Sequence, residues 1–217
     1  GVGKTELSKA IAEAMFDNEN NIIRIDMSEY MESHTVSNLI GSSPVYVGFD
    51  EGGQLTEQVR RKPSSVVLFD EIEKSHPEVL NALLQILDEC RLTDGKGRTV
   101  RFKRTINIMT RNIGANEIRQ HKKLGFGGEK KEEVGEKEIY MEALKKRFKP
   151  ELINRIDVIC IFETLSKQDL LKIAHILLNN INKRLEARGL TLEIPDDVVE
   201  YIVGKGSNME YGARPLR

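Results

Sequence analysis

The sequence of 217 residues has no tryptophan and only 6% aromatic residues, which leaves few side chains that could stack on nucleic-acid bases. It also has no excess of charge of either sign, since 33 Lys and Arg residues oppose 34 Asp and Glu residues. A net charge near zero argues against a broadly basic surface, although a local basic channel stays open. We therefore expect no nucleic-acid partner.

Cysteines and long apolar runs are scarce as well. The two cysteines, Cys90 and Cys160, lie far apart in the sequence and lack the C-x-x-C spacing of zinc sites. They are best explained as buried free thiols in a reducing compartment. No apolar run approaches the ~20 residues of a membrane-spanning helix. These features favour a cytoplasmic protein that does not contact a membrane.

The first residues, in contrast, carry a motif. Gly1-Val2-Gly3-Lys4-Thr5 matches the end of the phosphate-binding pattern G-x-x-x-x-G-K-[ST], and a run of good helix formers follows. In such loops backbone N–H groups surround phosphate oxygens, the lysine reaches the β- and γ-phosphates, and the hydroxyl binds Mg²⁺. A glycine-rich turn before an ordinary helix is the alternative. Because the pattern is incomplete, we expect the chain to begin within the motif, after its first strand.

A second motif lies further along the chain. Residues 66–69 form an apolar run typical of a strand that is buried on both faces, and Asp70 and Glu71 follow it. In phosphate-loop NTPases the first carboxylate helps to hold Mg²⁺, and the next can polarise the attacking water. An acidic pair at an ordinary strand–helix junction is the alternative. Together with the G-K-T sequence, the pair favours hydrolysis of ATP or GTP.

The periodicity of the sequence changes near residue 164. Strand-like and helix-like stretches alternate before that point, whereas only helices are predicted after it. The predicted strands are 22–27, 66–69, 105–110 and 158–162. The predicted helices are 6–15, 33–40, 54–61, 75–90, 141–148, 166–187 and 196–204. This order predicts an α/β domain over residues 1–164 and a small helical domain over residues 165–217.

Five stretches together resemble the AAA+ ATPases, and within them the second ATPase ring of the two-ring Clp unfoldases. They are residues 1–7, 46–48 with 51–56, 68–74, 148–151 with 154–157, and 212–216. The resemblance covers essentially the whole chain. It implies a P-loop NTPase fold, with a parallel sheet that has helices on both faces and lacks its first strand. A helical lid, incomplete at its C-terminal end, would follow the sheet.

The resemblance implies ATP and Mg²⁺ as cofactors and assigns roles around them. The phosphate loop and Glu6 would bind the nucleotide, and Thr5 with Asp70 would hold Mg²⁺. Glu71 would be the catalytic base. Asn112 would be the polar sensor that orients water near the γ-phosphate, a task that suits an amide because it donates and accepts without charge.

Two arginines and two departures from the family pattern also stand out. Arg155 resembles the arginine finger that acts on ATP in the neighbouring subunit, and Arg214 resembles the sensor arginine of the lid. A surface salt bridge is the alternative for each. Val45 occupies a position that is usually glycine. Arg111 replaces a small serine beside the sensor, where a long cation could repack the site or reach a phosphate.

The resemblance makes Tyr46-Val47-Gly48 the loop that lines the pore of a homohexamer and contacts unfolded polypeptide. An aromatic ring suits that task because it offers a large apolar area with few rotatable bonds. A partly buried loop tyrosine is the alternative. The implied function is ATP-dependent unfolding and threading of proteins through the pore.

Leu124-Gly125-Phe126 lies in a glycine-rich, charged stretch that is predicted to be an exposed loop. It resembles the tripeptide with which ClpC-like unfoldases dock on a ClpP-type peptidase, and adaptor proteins are possible further partners. A chance tripeptide that folds back on the domain is the alternative, which would leave a ClpB-type disaggregase. A non-hydrolysing nucleotide-binding assembly module and a DNA-directed AAA+ protein are the remaining alternatives.

Overall fold

The structure is a computed structural model, and it describes residues 3–41, 53–112, 136–162 and 165–206. The chain divides into two compact units. One unit is Thr5–Ile161, and the other combines Gly1–Lys4 with Phe162–Arg217. Residue 164, at which we predict the domain boundary, lies outside the described residues, and the boundary stays a prediction.

Helices and strands alternate along the first unit. In chain order they are α1 (Lys4–Phe16), β1 (Ile22–Asp26), α2 (Ser33–Ile40), α3 (Gln54–Arg61), β2 (Ser65–Asp70), α4 (Pro77–Glu89), β3 (Arg91–Thr93), β4 (Thr99–Arg101), β5 (Thr105–Met109), α5 (Glu136–Arg147) and α6 (Pro150–Ile153). The predicted strands at 22–27, 66–69 and 105–110 are confirmed to within one residue. Helix α5 begins before the predicted start at residue 141.

Three parallel strands form the main sheet in the order β1-β2-β5, with β2 in the centre. Asp26 pairs with Asp70 at the carboxyl ends of β1 and β2, and Phe69 pairs with Met109 on β5. Every residue of β2 from Ser65 to Phe69 is buried. The apolar run is therefore a strand covered on both faces, as predicted, and its carboxyl end delivers Asp70 to the sheet edge.

Helix α4 shows how the sequence sets the core. Pro77 occupies the first turn, and the His76 side chain caps the helix by accepting the backbone N–H of Glu78 at 3.3 Å. The apolar spacing of three and four residues buries one face of the helix against the sheet core, at Val79, Ala82, Leu83 and Ile86.

A small antiparallel hairpin, β3 with β4, joins α4 to β5 and was not predicted as strands. Each strand has only three residues, which is too short for a period of two to stand out. Its turn holds Asp94, whose side chain accepts the backbone N–H groups of Lys96 and Arg98 at 3.0 and 2.8 Å. Such Asx contacts explain why the sequence shows turn signals here.

Two sequence predictions are wrong. Residues 158–162 do not form a strand, because none of the described strands pairs with them, and 73% of Val158 is exposed. An apolar run becomes a strand only where a neighbour completes its hydrogen bonds. Cys160 is exposed rather than buried, since it lies in the same unpaired stretch, whereas Cys90 is half-buried at the C-terminal end of α4.

Over residues 165–206, the described part of the second unit contains the helices α7 (Lys167–Glu186) and α8 (Asp196–Gly206). Ser166 and Asp169 cap α7 reciprocally, in the arrangement of a capping box. The helices pack through a small apolar cluster that includes Leu170, Ala174, Val199 and Val203. Of the helices in the described ranges, none is long and apolar enough to cross a lipid bilayer.

Candidate nucleotide site

The phosphate loop is described from Gly3 onward, and Gly1 and Val2 lie outside the described residues. Gly3 has a φ of 99°, which favours glycine, and a Cβ there would lie 3.3 Å from the ring of Phe162. Lys4 and Thr5 are the first two residues of α1. The predicted helix N-terminus behind the loop is therefore present, and helix N-termini are the helix ends that bind anions.

Asp70 ends the central strand and has two partners. Its Oδ1 accepts a hydrogen bond from the hydroxyl of Thr110, and its Oδ2 forms an ion pair with Nη2 of Arg24 at 2.6 Å. Only 16% of the Asp70 side chain is exposed. The carboxylate is thus fixed from the two neighbouring strands, β1 and β5, at the edge where parallel strands end.

Glu71 leaves the strand abruptly, with φ 56° and ψ 47° in the left-handed region. Its backbone N–H donates to Thr110 Oγ1 at 3.2 Å, its Oε2 pairs with Nζ of Lys74 at 2.5 Å, and its Oε1 accepts from Nδ2 of Asn112 at 3.3 Å. The hydrogen bond that Lys74 donates to Glu71 raises the pKa of Lys74. The structure therefore brings three predicted site residues together: Asp70, Glu71 and Asn112.

Sequence reasoning missed Arg24 and Thr110. Arg24 is exposed between the buried Ile23 and Ile25 on β1, and Thr110 is buried directly after β5. The Thr110 hydroxyl donates to Asp70 and accepts from the backbone N–H of Glu71. A polar residue at the end of a buried strand was the available signal for Thr110, whereas Arg24 is apparent only from the pairing of the strands.

Arg111, which stands where the family pattern has a small residue, contacts α5 and the ring of Phe148. Its Nη1 donates to the backbone carbonyl of Ala143 at 2.8 Å, and its guanidinium carbon lies 5.9 Å from the ring centre of Phe148. The backbone N–H of its neighbour Asn112 donates to Oε1 of Glu73 at 3.1 Å. The long cation therefore holds α5 to the sheet edge.

Arg155 follows α6 and has a partner on its own chain. Its Nε lies 2.7 Å from Oδ1 of Asp88 on α4. Within the described part of the chain, no contact joins Arg155 to Asp70 or Glu71. The predicted arginine finger is therefore apart from the carboxylate cluster of its own subunit.

The remaining predicted residues lie outside the described residues. They are Tyr46, Val47 and Gly48 of the pore loop, Leu124, Gly125 and Phe126 of the docking tripeptide, and Arg214 of the lid. The two residues that flank the pore-loop segment are described. A Cβ on Gly41 would lie 3.0 Å from the backbone N of Gly95 and 3.3 Å from that of Gly53. The two ends of the segment thus meet each other and the hairpin turn.

A charged network ties α3 to that hairpin. Arg98 contacts Asp94 at 2.7 Å and Glu57 at 3.0 Å, and Arg60 also pairs with Glu57. Burial opposes ionisation of Asp94, yet hydrogen bonds from Arg98 hold the pKa of this carboxyl below its usual value. The helix that follows the pore-loop segment is therefore fixed to β3 and β4 through paired charges.

Comparison with known proteins assigns the family. Residues 1–159 match the AAA domain (Cdc48 subfamily), and residues 165–217 match the C-terminal, D2-small domain, of ClpB protein. The chain belongs to the AAA family of ATPases. It is 53% identical over 219 residues to the chaperone protein ClpB of Oceanobacillus iheyensis and to the negative regulator of genetic competence ClpC/MecB of Bacillus subtilis. These alignments cover 100% of the chain and 27% of each relative.

The comparison with solved structures supports the same family. The S. cerevisiae Hsp104:casein complex in its extended conformation matches with a TM-score of 0.83 and 42% identity, over 100% of this chain and 37% of that chain. The predicted resemblance to Clp ATPases and the predicted AAA+ fold are confirmed. The chain spans about a quarter of the length of its curated relatives, at 27%.

The donor set fits Mg²⁺ that arrives with a nucleotide. In the part of the chain that the structure describes, no group of three or more His, Cys, Asp or Glu side chains could hold a metal ion. Mg²⁺ in such sites keeps several waters and binds one or two carboxylates together with phosphate oxygens. Asp70, fixed by Arg24 and Thr110, is a carboxylate suited to that role.

Proposed function

We propose that this chain is the motor domain of a cytoplasmic protein unfoldase, which hydrolyses ATP and threads polypeptides through the pore of a homohexamer. The observation that carries the proposal is the cluster of Asp70, Glu71 and Asn112 joined through Thr110 at the carboxyl end of a central parallel strand. Within an AAA domain, this arrangement supports the roles that we propose: Asp70 as the metal-site carboxylate, Glu71 as the base and Asn112 as the polar sensor.

Binding of ATP is the task of the first motif. Backbone N–H groups of Gly1, Val2 and Gly3, with Glu6 nearby, would surround the phosphates, and Lys4 would contact the β- and γ-phosphates. Thr5 and Asp70 would hold Mg²⁺. The bound cation supplies positive charge that offsets the negative charge of the phosphates.

Hydrolysis is the task of Glu71. Its carboxylate would accept a proton from the attacking water, and the bond broken is the one between the β- and γ-phosphates. Lys74 and Asn112 hold the carboxylate from two sides, at 2.5 and 3.3 Å. Of the two carboxylate oxygens, Oε1 has the longer contact, and its donor is neutral. Oε1 is therefore the oxygen that would accept the proton from the attacking water. Arg155 would act from the neighbouring subunit, where an always-charged guanidinium stabilises charge on the transferred phosphoryl group.

Coupling to the polypeptide would involve Arg214 and the pore loop. Arg214 would sense nucleotide in its own subunit, and the lid would transmit the change to Tyr46, Val47 and Gly48. The tight contact of Gly41 with Gly53 and Gly95 supports this proposal, because movement of α3 or of the hairpin would reach both ends of the loop.

Replacing Glu71 by Gln tests the proposal directly. A hydrolytic motor loses turnover by about 100-fold or more, since general acid–base catalysis supplies that much, but still binds ATP. The matched control is Glu13→Gln, an exposed position on α1. ATP binding without measurable hydrolysis by either protein would favour the non-hydrolysing assembly module instead, and equal hydrolysis by both would show that Glu71 is not the base.

The finer proposal is that the motor feeds a ClpP-type peptidase through Leu124, Gly125 and Phe126. A Leu and a Phe within a stretch that the sequence predicts to be a polar, exposed loop favour a partner. Relatives from Staphylococcus epidermidis and Staphylococcus aureus at 50% identity are named ATP-dependent Clp protease ATP-binding subunit ClpC. A ClpB-type disaggregase is the second candidate, because the ClpB relative and the ClpC/MecB relative are equally similar to the chain, at 53% identity. Adaptor proteins are proposed as further partners.

Deletion of residues 124–126 separates these two candidates. We expect ATP-dependent degradation of an unfolded protein by the peptidase to stop, while ATP hydrolysis persists. Unchanged degradation after the deletion would show that the tripeptide is not the docking element. Recovery of aggregated protein without any peptidase would identify a disaggregase.

A further inference from the structure

The ion pair between Arg155 and Asp88 joins two segments that are far apart in the sequence. Nε of Arg155 lies 2.7 Å from Oδ1 of Asp88, with 52% of the arginine side chain and 32% of the aspartate side chain exposed. The closest approach is at Nε, the guanidinium nitrogen nearest the backbone. Asp88 therefore contacts the guanidinium at Nε, on the backbone side, and the two terminal nitrogens lie at the opposite end of the group.

The position of Asp88 is unfavourable for the helix that carries it. Asp88 and Glu89 occupy the last turn of α4, which has no basic residue. Carboxylates at a helix C-terminus lie at the negative end of the helix dipole, so they disfavour the helix. Glu89 is offset by Arg91 at 2.8 Å, and Asp88 is offset by Arg155. An exposed ion pair adds little to folding stability, so helix stability does not explain the presence of Asp88.

The backbone of Arg155 is fixed independently. Its N–H donates to the carbonyl of Leu152 at 3.1 Å, and Leu152 is 3% exposed in the main core together with Phe148. The core therefore sets where the arginine starts, and Asp88 sets the direction that its long side chain takes. A flexible four-bond side chain needs such a second point of attachment if its charge is to reach a fixed place.

We propose that Asp88 is a positioning residue for Arg155: it holds the guanidinium so that the terminal nitrogens meet the nucleotide of the neighbouring subunit. The proposal rests on the proposed function of Arg155 as the residue that acts on the neighbour's ATP. Asp88 itself touches neither the nucleotide nor the attacking water. Loss of Asp88 would leave Arg155 charged and present but free to occupy other directions.

The test uses the full-length protein in its oligomeric form. Asp88→Asn removes the charge with little change of shape, and Glu89→Gln is the matched control, because it removes the neighbouring charge at the same helix end. We expect D88N to lower kcat for ATP hydrolysis about tenfold or more, since small displacements of an oriented group carry costs of that size. We expect the affinity for a fluorescent ATP analogue and the oligomer size to stay unchanged, and E89Q to resemble the wild-type protein.

The same measurements in an Arg155→Ala background show whether Asp88 acts through Arg155. We expect R155A to lower kcat at least as much as D88N does, and the double variant to equal R155A alone. Asp88→Glu keeps the charge and is expected to recover most of the lost kcat. If D88N folds or assembles poorly, D88E still tests the proposal, because it keeps the charge and changes only the length of the side chain that contacts Arg155.

Several results would overturn the inference. They are an unchanged kcat in D88N, an equal loss from D88N in the presence and absence of Arg155, and no recovery in D88E. A higher kcat in D88N would mean that Asp88 withholds Arg155 from the nucleotide rather than presents it. If R155A alone leaves hydrolysis unchanged, the proposed role of Arg155 is wrong, and the role of Asp88 falls with it.

Discussion

The side-chain amide of Asn112 donates to Oε1 of Glu71 across 3.3 Å, although the two residues are 41 positions apart in the sequence. The contact links the end of the central strand to the residue beyond the neighbouring strand β5. It also ties the position of the proposed sensor to that of the proposed base, so a displacement of one side chain changes the contact of the other.

Asn112→Asp should therefore impair hydrolysis more than binding. The substitution places a second carboxylate against Glu71, and like charges at this distance repel. We expect kcat for ATP hydrolysis to fall by about 100-fold, the size of effect seen when an oriented donor is lost from an active site. Asn81→Asp, at an exposed position on α4, makes the same charge change elsewhere and should be silent. Normal ATP hydrolysis by N112D would show that Asn112 has no role in hydrolysis.

Thr110→Val should loosen both carboxylate residues at once. Valine has the same shape but cannot donate to Asp70 or accept from the backbone N–H of Glu71. Loss of a typical hydrogen bond costs about 0.5–1.5 kcal/mol, and Asp70 would keep its ion pair with Arg24. We expect slower single-turnover hydrolysis and a higher Mg²⁺ requirement, whereas Thr110→Ser should retain both. Equal behaviour of the two variants would mean that the hydroxyl has no role.

Asp94→Asn should weaken the hairpin in a pH-dependent way. The pKa of Asp94 is lowered in the folded state, so its charge stabilises the fold at pH values above the unfolded pKa of about 3.9. That stability is lost as pH falls through the folded pKa, and the variant and wild-type proteins should then converge.

Hydrogen exchange at neutral pH and urea unfolding at pH 7 and pH 3 measure the effect of D94N. We expect faster hydrogen exchange at the backbone amides of Lys96 and Arg98, because both donate hydrogen bonds to the Asp94 side chain. Asp197→Asn, on an exposed position of α8, is the control. An equal difference in stability at both pH values would contradict the role of the Asp94 charge.

Gly53→Ala should disturb the start of α3. A Cβ at Gly53 would lie 2.1 Å from the backbone carbon of Ile40, so the backbone has to move. We expect a loss of about 1–3 kcal/mol in stability, as for other overpacked sites, together with weaker binding of an unfolded polypeptide. Gly204→Ala is the control, because nothing lies within 4 Å of the added Cβ and a helix interior prefers alanine. Thermal unfolding that is unchanged in G53A would contradict the close approach.

Local patterns in the sequence were enough to predict the central strand and the helices. The unbroken apolar run of β2 and the three-and-four spacing of α4 each require one kind of burial, and both are observed. The placement of the carboxylates after β2 was also predictable, because a fully buried strand can expose polar side chains only where it ends.

Contacts between distant segments could not be predicted in this way. Arg24 reaches Asp70 only because β1 lies beside β2 in a particular register, and Arg155 reaches Asp88 only because α6 packs on the core. The expected strand at 158–162 failed for a related reason, since strand formation depends on a partner as well as on composition. Each strand of the hairpin β3–β4 buries a single apolar residue, Leu92 or Val100, and the turn between them is held by hydrogen bonds to Asp94.

The left-handed backbone of Glu71 sets stability against activity at this position. A non-glycine residue in this conformation is disfavoured by about 1–2 kcal/mol, which glycine avoids. Glu71→Gly would therefore relax the turn and remove the proposed base in one step. Folding stability alone therefore favours glycine at this position, whereas the proposed hydrolysis needs the glutamate carboxylate. A screen for thermal stability would discard this side chain, and a screen for turnover would restore it.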